Sequence, residues 1–145
     1  MHRRLCGRVI TTVISVIAVV AGAAACAPSV SDHDNRIFSL PASVKLSAVD
    51  LSSAYAADAG AADGRYRGRV IEISGVIRSL RPDTTAVTMA GAEAGPVIEA
   101  SIHDDVAAQV LKGVADGQRL TLKCFCEGLD QHVRLKSCVA PDPVR

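Results

Sequence analysis

The stretch Arg69-Val70-Ile71-Glu72-Ile73-Ser74-Gly75-Val76-Ile77-Arg78-Ser79-Leu80 decides how the rest of the chain is read. Its apolar members are mostly β-branched and partly alternate with polar ones, and Pro82-Asp83 breaks the run, which predicts a strand. Gly75 in its middle suits a bulge or a sharp bend, the device a strand needs when it must serve two faces of a small closed barrel.

Working downstream, Ala86–Ala90 and Val97–Ile102 read as the next two strands, joined by a turn holding Gly91, Gly95 and Pro96. Asp104-Asp105 then caps a helix through Val106, Val110, Leu111 and Val114, which Asp116-Gly117 ends. Two further strands, Arg119–Cys126 and His132–Val139, flank a polar turn at Glu127–Gln131. Upstream, Ser47 and Asp50 are set like a capping pair ahead of Leu51, Ala54, Tyr55, Ala61 and Ala62 at helical spacing, which predicts a helix over about Val49–Asp63. Gly60 weakens that helix and Gly64 is a natural stop. Three strands, a helix and two strands is the order of an OB-fold. The expected class is therefore all-β with added helices (α+β): a five-stranded OB-like barrel with an N-terminal helix and a helix between strands 3 and 4. It occupies residues 47–140, with 141–145 as a tail.

A chain of 145 residues supports one domain, and 49% apolar content is ample for its core. Aromatic residues make up 3% and there is no Trp, so the core must be aliphatic and flat surfaces for stacking are few. The net charge of +1 misleads, because Arg3, Arg4 and Arg8 lie in the leader and no acid does; without them 13 basic residues face 15 acids, about −2. A mildly acidic domain is a poor general polyanion binder, so nucleic acid is disfavoured as a partner.

The leader itself is a basic Met1–Arg8, an unbroken apolar or small run from Val9 to Ala25, and Ala23-Ala24-Ala25-Cys26 ahead of Ala27-Pro28. This three-part pattern reads as an export signal over residues 1–25. A run of about 17 residues is near the lower bound for a membrane span, but the small residues before the break favour cleavage. A Cys directly after small residues resembles the lipobox of bacterial lipoproteins, in which that Cys is acylated; here Cys26 would carry the lipid and place the domain on an envelope membrane. The competing reading is Ala-x-Ala cleavage without lipid. Arg3-Arg4 is read as a generic basic head and not as a twin-arginine signal. Residues 26–46, polar and holding Pro28 and Pro41, read as a tether.

The run Leu51, Tyr55, Ala62-Asp63, Tyr66, Gly68, Val70-Ile71-Glu72, Gly75-Val76, Leu111-Lys112-Gly113, Leu135 and Cys138 resembles the tRNA_anti-like group of bacterial OB-fold proteins over roughly Leu46–Val139. The resemblance implies the fold and an envelope location; the echo of anticodon-binding domains in the family name does not imply tRNA binding.

Past the leader stand Cys26, Cys124, Cys126 and Cys138, in a chain expected to meet an oxidising compartment, so a disulfide is the default. With Cys26 acylated, Cys138 can pair with Cys124 or Cys126. Both point to the same side of their strand, so parity leaves the choice open. The resemblance places a Cys near Cys126 and Cys138, which implies that pair. A metal or redox site built from Cys124, Cys126, Cys138 and His132 is the sharper alternative, but Cys-x-Cys is weaker than paired Cys-x-x-Cys knuckles. No metal and no cofactor is expected. His103-Asp104-Asp105 reads as a helix cap before it reads as acid/base chemistry. No nucleophile elbow, phosphate loop or His-Glu zinc helix occurs, so no catalytic residue is assigned. Arg65, Arg67, Arg69, Arg78 and Arg81 could form a stripe along a nucleic-acid strand, but the preferred reading is a solvated, charged strand edge that discourages aggregation. The expectation is a non-enzymatic, lipid-anchored envelope protein binding a small ligand, a glycan or another envelope protein. Its rivals are a single-stranded nucleic-acid-binding module and a thiol or metal handler.

Overall fold

The computed structural model describes residues 32–81 and 83–143; the leader and Cys26 lie outside them. The described residues form a closed five-stranded β-barrel, a sixth strand on its edge and three α-helices. The barrel strands are β2 (Val70–Arg81), β3 (Ala86–Met89), β4 (Ile98–Ile102), β5 (Arg119–Asp130) and β6 (His132–Val139), in the order β2-β3-β4-β6-β5, closed by pairing of β5 with β2. All pairs are antiparallel except β4 with β6, which run parallel. This is the OB-like barrel expected from the sequence.

Closure depends on β2 changing partners along its length. Val70–Val76 pair with β5, whereas Ile77–Arg81 pair with β3, with a register shift between Ile77 and Ser79. The bulge thus falls beside Arg78 and not at Gly75. Gly75 does something else: a Cβ there would stand 2.7 Å from the Ala48 Cβ and 3.0 Å from the Met89 Sδ, so its bare backbone lets the start of a helix and a neighbouring strand approach β2 closely. Inside, Ile71, Ile73, Ile77, Val87, Met89, Ile98, Ile102, Leu122 and Leu135 are buried, the aliphatic core that the lack of aromatics demanded.

The single helix expected over Val49–Asp63 is two: α1 (Ala48–Ala57) and α2 (Ala59–Tyr66). Ser47 and Asp50 do form a capping box, with the Asp50 N–H donating to the Ser47 Oγ at 3.0 Å. The break is Asp58, whose backbone is extended and whose N–H donates to the Ala54 carbonyl, while its Oδ1 accepts from the Ala61 N–H at 3.0 Å. A short carboxylate competes for backbone donors better than it continues a helix, and the alanine-rich propensity on either side does not outweigh that.

The residues read as a tether, 26–46, belong in part to the fold. Val44–Ser47 form strand β1, parallel to β2 in the register Val44↔Ile71 to Ser47↔Ser74. Before it, Asn35–Phe38 form a 3-10 turn whose Ile37 is fully buried with Val70, Phe125 and Val139 in a small second core. One apolar side chain pinned by three distant ones leaves no periodic signal, which is why composition reads this arm as linker. Helix α3 (Asp104–Val110) sits between β4 and β5 as expected but stops early, with Gly113 at φ +73° turning the chain before Asp116-Gly117. The turn expected at Glu127–Gln131 is mostly strand: β5 runs on to Asp130 through a register shift between Cys126 and Gly128, and only Gln131, at φ +60°, makes the hairpin.

Candidate functional site

The outer surface of β4, β5 and β6, where the barrel meets the incoming arm, carries a cluster of polar and charged side chains. Glu99 and Ser101 project from β4, Glu127 from β5, and Arg134 and Lys136 from β6, while Asp32 and His33 of the arm close one end of a cleft of about 280 Å³. Strand alternation puts these side chains outside and Ala100, Val133 and Leu135 inside. The Lys136 Nζ lies 3.0 Å from the Glu127 Oε1, and Arg134 reaches Glu127 at 3.9 Å and Asp130 at 3.7 Å. The Glu127 carboxylate beside it raises the Lys136 ammonium above its ordinary value. Both cations are therefore held by this domain's own acids, and a polyanion would have to displace them.

The arm is fastened beside the cleft by partly buried polar contacts. The Asp34 N–H donates to the Ser137 Oγ at 2.7 Å, and Ser137 holds φ +52° to present it. The buried His103 ring accepts from the Asp105 N–H at 3.3 Å through Nδ1 and meets the Asn35 Oδ1 at 2.8 Å through Nε2. With Nδ1 accepting, Nε2 is the donor of that second bond. His103-Asp104-Asp105 is thus a helix cap, as the sequence suggests, but the capping atom is the imidazole nitrogen and not a carboxylate. His33 lies against His103 with ring centroids 5.0 Å apart, and Phe38 meets the same ring edge-on at 4.9 Å.

The cysteines correct one expectation. The disulfide joins Cys124 to Cys138, not Cys126 to Cys138, and Cys126 is a free, buried thiol. The reason is register: Lys123 faces Val139, which puts Cys124 opposite Cys138, whereas Cys126 faces Leu135. Cys126 instead touches the Tyr55 hydroxyl at 3.6 Å, and that hydroxyl donates to the Asp63 Oδ1 at 2.9 Å. The single phenolic proton is spent on Asp63, so the thiol is the donor to Tyr55. Burial pushes the Cys126 thiol and the Tyr55 phenol up from their ordinary values.

The family model described as tRNA_anti-like matches residues 1–139. The chain belongs to that family. No curated protein and no solved structure gives a significant match to it.

In this tRNA_anti-like protein the other candidates separate. Cys124, Cys126, Cys138 and His132 are not gathered into a ligand set: two are bonded to each other, Cys126 faces Tyr55, and His132 is exposed at the hairpin. Among the described residues no cluster of three or more His, Cys, Asp or Glu is placed to hold a metal ion. Arg65, Arg67 and Arg69 stand at the end of α2 and the approach to β2, Arg67 pairing with Asp63 at 3.5 Å, while Arg78 and Arg81 lie at the far end of β2. They form no single stripe. The Tyr55–Asp63–Cys126 chain and the arm's seat on Ser137 and His103 join residues 8 to 103 positions apart, and no local spacing announces them.

Proposed function

We propose that this protein is exported, anchored to an envelope membrane through a lipid on Cys26, and that its OB-like domain is a non-catalytic binding module using the cleft between β4, β6 and the arm. The Cys124–Cys138 disulfide inside the barrel carries this reading, since such bonds persist in oxidising compartments and this one follows a basic, apolar leader ending in Ala23-Ala24-Ala25-Cys26. The self-paired Arg134 and Lys136 support a small ligand, a glycan or an envelope protein over nucleic acid as the partner.

The intact mass of the protein from its native membrane tests the proposal. Expected is a chain beginning at Cys26, heavier by acyl groups and lighter by the two hydrogens of one disulfide. A product retaining Met1 with every thiol reduced overturns it. For the partner, titration of labelled single strands at low salt should give no saturable signal; salt-sensitive saturation reverses the ranking.

A further inference from the structure

The innermost cation of the domain is not in the cleft. Lys123 lies on β5 with its side chain 2% exposed, and its ammonium meets one carboxylate, the Asp142 Oδ1 at 2.7 Å. Asp142 belongs to the tail beyond β6 and is itself 57% exposed. Among the described residues no backbone hydrogen bond ties 140–143 to the barrel, so this ion pair is the tail's polar fastening. Removing one partner of a buried pair strands the other charge in a poor solvent, so the lysine requires a carboxylate there, whereas the tail has little else to hold it.

The surroundings are those of a binding pocket. Lys123, Glu72 of β2 and Lys45 of β1 stand in one row across the sheet, with the Lys45 Nζ 3.0 Å from the Glu72 Oε2. Together with Phe38, Ala42, Pro143 and Asp142 they line a cavity of about 600 Å³. Because Glu72 is engaged with Lys45, the cavity offers one unmatched positive charge once Asp142 leaves.

We propose that Lys123 is the floor of a carboxylate-binding site and that Asp142 is a stand-in for the carboxylate of an external ligand with a small apolar body. The tail competes for the site intramolecularly, at an effective concentration on the order of millimolar. A free carboxylate therefore binds weakly to the intact protein and more tightly once the Asp142 charge is removed.

The test uses full-length protein labelled with 15N-lysine, which reports its four lysines, Lys45, Lys112, Lys123 and Lys136, as separate backbone amide signals. Propionate is the probe, and propionamide the uncharged control of the same shape. In Asp142→Asn, propionate should move the Lys123 and Lys45 signals saturably, with half-saturation about tenfold below that of the unaltered protein, while Lys112 stays still. Adding Lys123→Met, which keeps the side-chain volume, should abolish the response. Absence of a saturable shift in Asp142→Asn, an equal response to propionamide, or persistence of the response in the double variant each overturns the proposal.

Discussion

Reducing the Cys124–Cys138 bond should cost the domain about 3 kcal/mol. The two cysteines are 14 residues apart, and closing a loop of that length removes roughly 10 cal/mol/K from the unfolded chain, or about 3 kcal/mol at room temperature. For a domain of this size, where each kcal/mol moves the melting point by about 3 to 5 °C, the midpoint should fall roughly 10 to 15 °C. Loop length does not distinguish this pairing from Cys126–Cys138, whose loop is nearly as long, so the variants must. Cys124→Ala should melt near reduced wild type and ignore reductant, because Cys126 faces Leu135 and has no register in which to replace it. Cys126→Ala should lose only the small term for a truncated buried side chain and remain fully reductant-sensitive. Thermal melts by circular dichroism, with and without reductant, read both. A reductant-insensitive Cys126→Ala beside a reductant-sensitive Cys124→Ala would refute the register argument.

Gly75→Ala should destabilise by about 1 to 3 kcal/mol in a denaturant melt, because the new methyl meets Ala48 and Met89 where neither can withdraw without moving α1 or β3. Asp58→Ala removes the cap of α2 and should cost about 1 kcal/mol, with a gain in helical signal if the two helices fuse. Stability should decline as pH rises past the ordinary thiol value of about 9, since a thiol held protonated by burial contributes fully below that value and loses its contribution as pH climbs toward its raised folded value; Cys126→Ala should flatten the decline. By the same burial, iodoacetamide should label Cys126 in the native, oxidised protein only at the rate of unfolding, which mass spectrometry of timed samples reads.

The barrel was readable from the sequence because its strands announce themselves locally. The run around Ile71 and Ile73, the alternation in Ile98–Ile102 and the Ser47–Asp50 capping box each depend on neighbours within a few positions. What escaped depends on partners far along the chain. Asp58 looks like one more residue in an alanine-rich helix until its carboxylate is seen to take the Ala61 N–H. The choice between Cys124 and Cys126 turns on where the β5–β6 hairpin reverses: with Asp130 facing His132 about Gln131, Cys124 and Cys138 stand equally far on either side, and no local pattern marks that turning point. Ile37 stands in a short stretch with Phe38 and Leu40, both exposed, and only its contacts with Val70, Phe125 and Val139 mark it out as core. The cleft has no local signature for a similar reason: Glu99, Glu127 and Lys136 are ordinary surface residues on three strands until the sheet closes and the arm lies beside them.

That docked arm also decides where a pull on the chain is first felt. Asp34 is clipped to Ser137 of β6, Asn35 to His103 ahead of α3, and Ile37 is plugged into the small second core, so tension arriving from the N-terminal side meets these contacts before it reaches the pairing of β1 with β2. The barrel's closure is thereby shielded from whatever tugs on the arm.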